Sequence, residues 1–246
     1  MLLGPFATFA VVLFLVQLVL LRSEHASRAD AAPSEASIRA IYQRDCATCH
    51  GASGRGTSRG PKLAGVGTAL VSYMLSTGRM PISHPTDRLE RGAPAYDEAT
   101  QDGLVRYVAS FGPGGPSIPD VALDHADLGD GLQLYALDCA PCHSAAGSGG
   151  ALLDESAPDL RAATPSQVAD AVRGGPSPMP VFGQAALSSQ QLDDVVAYVQ
   201  QLRHPDDRGG FALDRLGPLP EGAVALLVGL GGLVVAAVLI ERRRRA

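Results

Sequence analysis

The chain has no tryptophan, and its aromatic side chains make up only 5% of the sequence. Four cysteines among 246 residues are too few for a disulfide scaffold, which is shorter and denser in cysteine. Charged side chains are 18% against 46% hydrophobic, a balance that supports a packed core and excludes a disordered charged tail. With 20 Lys+Arg against 25 Asp+Glu, there is no basic excess of the kind that binds nucleic acid, so no nucleic-acid partner is expected. No useful stretch alternates apolar and polar residues with period two, which argues against half-buried strands. The length allows one or two domains.

What is present begins at the ends. Met1 to Leu21 carry no charge, and Gly222 to Ile240 form a second uncharged run of 19 residues. At the helical rise that second run reaches about 28 Å, close to the apolar thickness of a bilayer. Arg242, Arg243, Arg244 and Arg245 follow it, and arginines after an apolar span mark the cytoplasmic side. A buried core helix is the competing reading, and it fits poorly with a chain that stops at the arginines. The N-terminal run exceeds a usual signal-peptide core and has no basic leader, yet Ala29-Asp30-Ala31 resembles a cleavage site. A second anchor and a cleaved signal both stay open, and either exports the middle of the chain. That middle is uneven: residues 30–112 hold 9 basic and 8 acidic groups, residues 113–208 hold 4 and 13. The acidic half serves solubility, or steers a positively charged partner.

The middle is also a repeat. Cys46-Ala47-Thr48-Cys49-His50 returns as Cys139-Ala140-Pro141-Cys142-His143, with Tyr42 and Tyr135 four before each first cysteine. Pro61-Lys62-Leu63 matches Pro158-Asp159-Leu160, and Met80-Pro81 matches Met179-Pro180. Leu104, Tyr107, Val108 and Phe111 match Val195, Tyr198, Val199 and Leu202, at the spacing of one helix face. Gly112-Pro113-Gly114-Gly115-Pro116 separates the copies. Each copy reads as all-α. The first helix is expected to turn Ile38, Ile41 and Tyr42 inward in copy one, and Leu128, Leu132 and Tyr135 in copy two, with Asp127 as N-cap. A middle helix is expected over 66–77 and another from Thr164, with Pro165 at its first position, to Gly174. Ser188 and Gln191 form a capping-box pair at the start of the last.

C-x-x-C-H is the attachment pattern of haem c. Two thiols at this spacing add to the two vinyl groups of one rigid macrocycle, and the adjacent His reaches the iron. A shared zinc site would need Cys49 and Cys139 close in sequence, as in zinc ribbons, and a thioredoxin-like dithiol needs a βαβ context that is missing. Two covalently attached haems are therefore expected, on Cys46 and Cys49 and on Cys139 and Cys142, with His50 and His143 as iron ligands. The sixth ligands follow from scarcity. Only Met1, Met74, Met80 and Met179 exist, and Met80 and Met179 share the Met-Pro context. Met80 is assigned to the first iron and Met179 to the second, a closed sphere suited to electron transfer. Met74 reads as core packing; any methionine can simply fill a gap, a reading that the matched Met-Pro context of Met80 and Met179 disfavours. His84 is a rival to Met80, while His25, His125 and His204 read as surface or linker residues. Each proximal His is expected to donate its second ring N–H to the carbonyl of Pro61 or Pro158. Arg55, Arg59, Arg79 and Arg173 are candidates for haem propionates, against the ordinary alternative of solvated arginine. No catalytic residue is expected, because nothing in the pattern makes or breaks bonds.

Helix, CxxCH, Pro-Leu loop, Met-Pro and a terminal helix with a tyrosine, in that order, resemble a class I cytochrome c domain. The whole chain resembles something narrower, the dihaem cytochrome c subunit of the actinobacterial type of menaquinol–cytochrome c reductase. Arg59-Gly60-Pro61-Lys62-Leu63, Ser76-Thr77-Gly78-Arg79-Met80-Pro81, Ala157-Pro158-Asp159-Leu160 and Gly217-Pro218-Leu219-Pro220-Glu221-Gly222 carry that likeness. It implies an all-α fold of two tandem cytochrome c domains outside the plasma membrane, with a C-terminal transmembrane helix and a cytoplasmic C-terminus. The expected divisions are a signal peptide or anchor (1–31), domain 1 (32–112), domain 2 (113–208), a juxtamembrane linker (209–221), the membrane helix (222–240) and a basic tail (241–246). The implied partners are a cytochrome b subunit, a Rieske iron–sulfur subunit, a haem–copper terminal oxidase and membrane lipid. The implied role is an electron-transfer subunit of a translocating reductase, carrying electrons from the Rieske protein through both haems to the oxidase. A membrane-anchored dihaem carrier, a dihaem peroxidase and a haem c subunit of a terminal oxidase are the competing readings.

Overall fold

A helix start leaves backbone donors unsatisfied, and Ser34 meets one by accepting the Ser37 amide at 3.2 Å, opening α1 (Glu35–Asp45). The computed structural model describes Gln17 and residues 32–151, 156–203 and 218–245. The rest of the N-terminal apolar run, the Ala29-Asp30-Ala31 site, His25, His204 and residues 204–217 lie outside the described residues. After α1 come a single turn α2 (Ala47–His50), then α3 (Thr68–Ser76) and α4 (Glu98–Ala109). The second repeat adds a 3-10 turn (Leu123–His125), α5 (Leu128–Asp138), α6 (Ala140–His143), α7 (Pro165–Gly174) and α8 (Ser189–Gln201). The last helix is α9 (Pro218–Arg245). The described strand is one antiparallel pair, β1 (Gly150–Ala151) with β2 (Ser156–Ala157), and everything else regular is helical.

The caps expected at Asp127 and Ser188 form: Asp127 accepts the Gly129 and Asp130 amides, and Ser188 with Gln191 makes a full capping box. Thr164 with Gln167 makes another, at the start expected for that helix. Pro165 opens α7, where a missing N–H costs nothing. Among the described residues, two compact units emerge. One holds the residues up to Gly65 together with Gly78–Pro113; the other holds Val66–Thr77 and the residues from Gly114 onward. α3, from the first repeat in sequence, thus packs in the second unit. There it lies on α7, with Ser72 Oγ donating to Asp170 at 2.6 Å and Gln167 Nε2 to the Ser76 carbonyl at 2.9 Å.

In the first unit α1 crosses α4. Ile38 and Tyr42 from α1 and Leu104, Val105 and Val108 from α4 are all buried. A Cβ on Gly103 would run into the Ile38 side chain, so glycine marks the crossing. Tyr42, Tyr107 and Phe111 form a trio of tilted and edge-on rings with centroids 5.1–5.3 Å apart. In the second unit α5 crosses α8, and the glycine comes from the other partner. A Cβ on Gly131 would land on the Asp194 carbonyl of α8. The core there gathers Tyr135, Ala169, Val172, Leu192, Val196 and Val199.

This geometry corrects one expectation. Leu128 and Leu132 do not face inward; they are 48% and 47% exposed. The bare face of Gly131 must meet α8 for the helices to approach, and that rotation turns both leucines outward while keeping Tyr135 inside. The acidic half of the chain is also not all surface. Asp170, Asp193 and Asp194 are buried, and the last two accept the backbone amides of Ala122 and Asp127.

Within the α9 stretch Gly222–Arg245 an 18-residue apolar window has a mean hydropathy of 2.8, and none of that window is buried. Leucines and valines point outward around the whole helix, a surface that suits lipid and not water, so α9 is a candidate transmembrane span. The helix continues past the expected boundary at residue 240 through the arginines, where Arg245 pairs with Glu241 at 2.8 Å.

Candidate metal centres

The five-residue motif folds the same way in both units. The Cys46 amide still donates to Tyr42 at the end of α1, and the His50 amide returns to the Cys46 carbonyl, both at 2.9 Å. The second copy repeats both bonds, Cys139 to Tyr135 and His143 to Cys139, again at 2.9 Å. Each cysteine pair is three apart on one helical turn and shares a face. None is in a disulfide. Gly51 ends the first turn at φ 79°, and Ser144 takes φ 63° at the matching place. The Ser144 hydroxyl accepts the Ser148 amide at 3.2 Å, a local bond that offsets the cost of a left-handed serine.

Both histidine rings are oriented by one bond each. His50 Nδ1 lies 2.8 Å from the Pro61 carbonyl oxygen, and His143 Nδ1 lies 3.0 Å from that of Pro158. A carbonyl only accepts, so Nδ1 carries the hydrogen and Nε2 keeps the free lone pair that binds metal. These are the partners expected from sequence. Burial lowers the His143 pKa and favours the neutral, ligating ring, against the smaller opposing effect of the Pro158 bond.

The hydroxyls of Tyr42 and Tyr135 have a use the sequence reading missed. Tyr42 Oη donates to the Gly51 carbonyl at 2.8 Å, and Tyr135 Oη to the Ser144 carbonyl at 2.7 Å. Each tyrosine therefore ties the residue after the histidine back to the first helix. The signal was available, because a purely packing role needs only phenylalanine. Gly60 and Gly150 pass close to the second cysteine of each motif. A Cβ would stand 3.0 Å from Cys49 Cβ at the first and 2.6 Å from the Cys142 carbonyl oxygen at the second.

The first thiol of each motif is a poor metal ligand as it stands. Burial pushes Cys46 up to about 11 and Cys139 up to about 12, so neither is a thiolate at neutral pH. Among the described residues no group of three or more His, Cys, Asp or Glu is placed to hold a metal ion. Each site offers one oriented imidazole and two thiols on a shared face. That donor set fits a metal arriving with its own equatorial ring, held by thioether bonds, and does not fit zinc.

Met80 is half-buried in the unit that holds His50, and Met179 is half-buried against the core of the unit that holds His143. Met74 belongs to α3 and so to the second unit, not to that of His50. The rival His84 is exposed, with Nδ1 3.7 Å from Asp87. His125 is exposed as well. Of the arginines considered for propionates, Arg55 and Arg59 are exposed and Arg79 is buried. Arg173 is buried and its guanidinium is occupied by the carbonyls of Phe182, Leu187 and Ser188.

Comparison with known proteins agrees with this geometry. Residues 36–71 match the family described as cytochrome c, and residues 126–199 match that described as cytochrome c oxidase, cbb3-type, subunit III. Cytochrome c domains bind haem c covalently, so covalently bound haem c is implied for this chain. Proteins named cytochrome bc1 complex cytochrome c subunit from Mycobacterium bovis and Mycobacterium tuberculosis are 38% identical over 213 residues, covering 82% of this chain and 76% of theirs. One of the same name from Corynebacterium diphtheriae is 36% identical over 222 residues, 82% of this chain and 79% of its own.

Proposed function

The chain belongs to the family of cytochrome bc1 complex cytochrome c subunits, and from that premise we propose that it holds two haems and forms a fixed electron path across its two units. As a member it is an electron-transfer cytochrome c of an oxidoreductase complex; the number of haems, their order and the partners at each end are our reading. Bound haem c supplies a reversible one-electron iron couple. Cys46 and Cys49 would hold the first group covalently, with His50 and Met80 as ligands of its iron. Cys139 and Cys142 would hold the second, with His143 and Met179.

The observation that carries this reading is the duplication of one site down to its hydrogen bonds. Each motif turn has its own tyrosine tether and its own histidine-to-proline carbonyl bond. A degenerate second copy would have no reason to keep both. The Pro61 and Pro158 carbonyls keep each imidazole in one tautomer and one orientation, so little reorganisation accompanies electron exchange. The thioethers of Met80 and Met179 would complete each iron's ligand set and so favour electron transfer over oxygen chemistry. No side chain is assigned a bond-making role.

In this reading the first site accepts electrons from a Rieske iron–sulfur subunit and the second delivers them to a haem–copper oxidase. Haem domains 32–112 and 113–208 lie on the extracytoplasmic face of the plasma membrane. The apolar helix, expected at 222–240, crosses beside a cytochrome b subunit, and the tail 241–246 is cytoplasmic. The complex it serves is a translocating quinol reductase. The cbb3-type match names an oxidase subunit, but it covers 126–199 alone, whereas the bc1 relatives span both copies.

The test is a haem count on the purified full chain, by intact mass and pyridine haemochrome absorbance. Two covalent haems per chain are expected, and Cys49→Ala should remove covalent haem from the first repeat only. One haem in the parent chain, or an unchanged count in C49A, overturns the assignment.

A further inference from the structure

We propose that Arg173 is a positioning residue for the sixth ligand of the second site, a latch that closes the loop carrying Met179; the inference rests on the reading of Met179 as that ligand. The loop leaves α7 at Gly175, a left-handed glycine at φ 60°, and ends at the Ser188 cap of α8. Arg173 stands one residue inside the end of α7 and is 4% exposed. Its Nη1 donates to the Phe182 carbonyl at 2.8 Å and the Leu187 carbonyl at 2.7 Å, and its Nη2 to the Ser188 carbonyl at 3.3 Å. One guanidinium therefore joins the end of α7, the middle of the loop and the start of α8.

The loop is pinned from the other side too. The Phe182 amide donates to the Val172 carbonyl at 2.9 Å, so both backbone polar groups of Phe182 are held by the last turn of α7. Between Gly175 and Phe182 the chain can only make a short excursion, and Met179 lies on it, its amide bonded to Pro176 at 2.8 Å. Fixing the base of so short an excursion limits where the thioether can stand. A buried guanidinium bonded to three neutral carbonyls is costly to keep, and an apolar side chain would pack the same space more cheaply. Its geometry explains its retention: a planar fork reaches several fixed acceptors at once, which lysine cannot.

The first unit closes its methionine loop differently. Aligned on the left-handed glycines Gly78 and Gly175, Arg173 corresponds to Ser76, which has no such fork. The loop from Gly78 to the Asp97 cap is instead tied near its end, where Tyr96 Oη donates to Asp45 at 2.7 Å. Arg173 should therefore affect the second site alone.

The experiment uses the full-length haem-loaded chain carrying Met80→His, so that any thioether-to-iron charge-transfer band of the ferric protein reports the second haem. Arg173→Gln should keep the helical circular dichroism and the haem mass, lose at least about half of that band, and bind added imidazole about tenfold more tightly. Arg173→Lys should fall between, because it keeps the charge without the fork. An unchanged band and imidazole affinity in R173Q overturns the proposal; if R173Q fails to load haem, unchanged values in R173K overturn it in the same way. Met179→Ala separates the two claims. Loss of the band in M179A with none in R173Q defeats the latch and leaves the ligand standing, whereas a band that survives M179A defeats both.

Discussion

Glycine marks both helix crossings, but what it faces differs, and alanine should be damaging at one position and nearly neutral at the other. At Gly131 a Cβ would meet the Asp194 carbonyl oxygen, with the Asp194 carbonyl carbon at 2.7 Å and Tyr198 Cβ at 3.0 Å. The first two are backbone atoms in the middle of α8 and cannot step aside, so the helices must separate. At Gly103 the obstruction is Ile38 Cδ1 and Cγ1, the far end of a side chain that can change rotamer. Overpacking costs about 1–3 kcal/mol, and alanine returns about 1 kcal/mol of helix propensity over glycine. Gly131→Ala belongs at the top of that range and should lose about 2 kcal/mol net. Gly103→Ala should come out within about 0.5 kcal/mol of the parent, the cost of moving Ile38 being matched by the helix gain. For a unit of this size, 2 kcal/mol corresponds to a fall in Tm of roughly 10 °C. Amide hydrogen exchange on α1 and α5 in the detergent-solubilised chain reads each unit separately, alongside the thermal melt. If G131A matches the parent, or G103A is the more damaging, the crossings are not packed as described.

Other consequences follow from single groups. Asp170 is 1% exposed, its Oδ1 has no hydrogen-bond partner among the described residues, and burial raises its pKa to about 6, with the Ser72 hydroxyl opposing. The neutral form therefore favours the fold: stability is complete below about pH 4, the unfolded value, and about 3 kcal/mol is lost as pH rises through 6. Asp170→Asn should flatten the urea midpoint between those pH values, and a D170N chain that keeps the slope refutes this. Met179→His should lower the potential of the second haem while the haem stays attached; a redox titration in which that potential does not move removes Met179 as a ligand.

The site was more legible than the packing. The motif repeats, the proline carbonyls behind each histidine, the caps at Asp127, Thr164 and Ser188 and the apolar last helix all follow from local spacing, which a sequence carries directly. What it hid depends on which face one helix presents to another. Leu128 and Leu132 have the spacing of an inward face, yet Gly131, with no side chain, sets the rotation of α5. The grouping of α3 with α7 brings together Ser72 and Asp170, 98 apart in the chain, and Ser76 and Gln167, 91 apart, pairings that no periodicity announces. Arg173 read from sequence as either a propionate partner or, more ordinarily, a solvated arginine, and only the loop geometry shows three carbonyls holding it. Asp193 and Asp194 counted toward an acidic surface until their backbone partners were visible.

The most direct test of the account is to isolate this chain from mildly solubilised membranes and record the reduced-minus-oxidised spectrum and the low-temperature paramagnetic resonance of everything that comes with it. The account predicts two haem c per chain together with haem b and a Rieske signal, and haem a where the oxidase is held in the same assembly. Haem c alone, under conditions in which the quinol reductase stays intact, would contradict it.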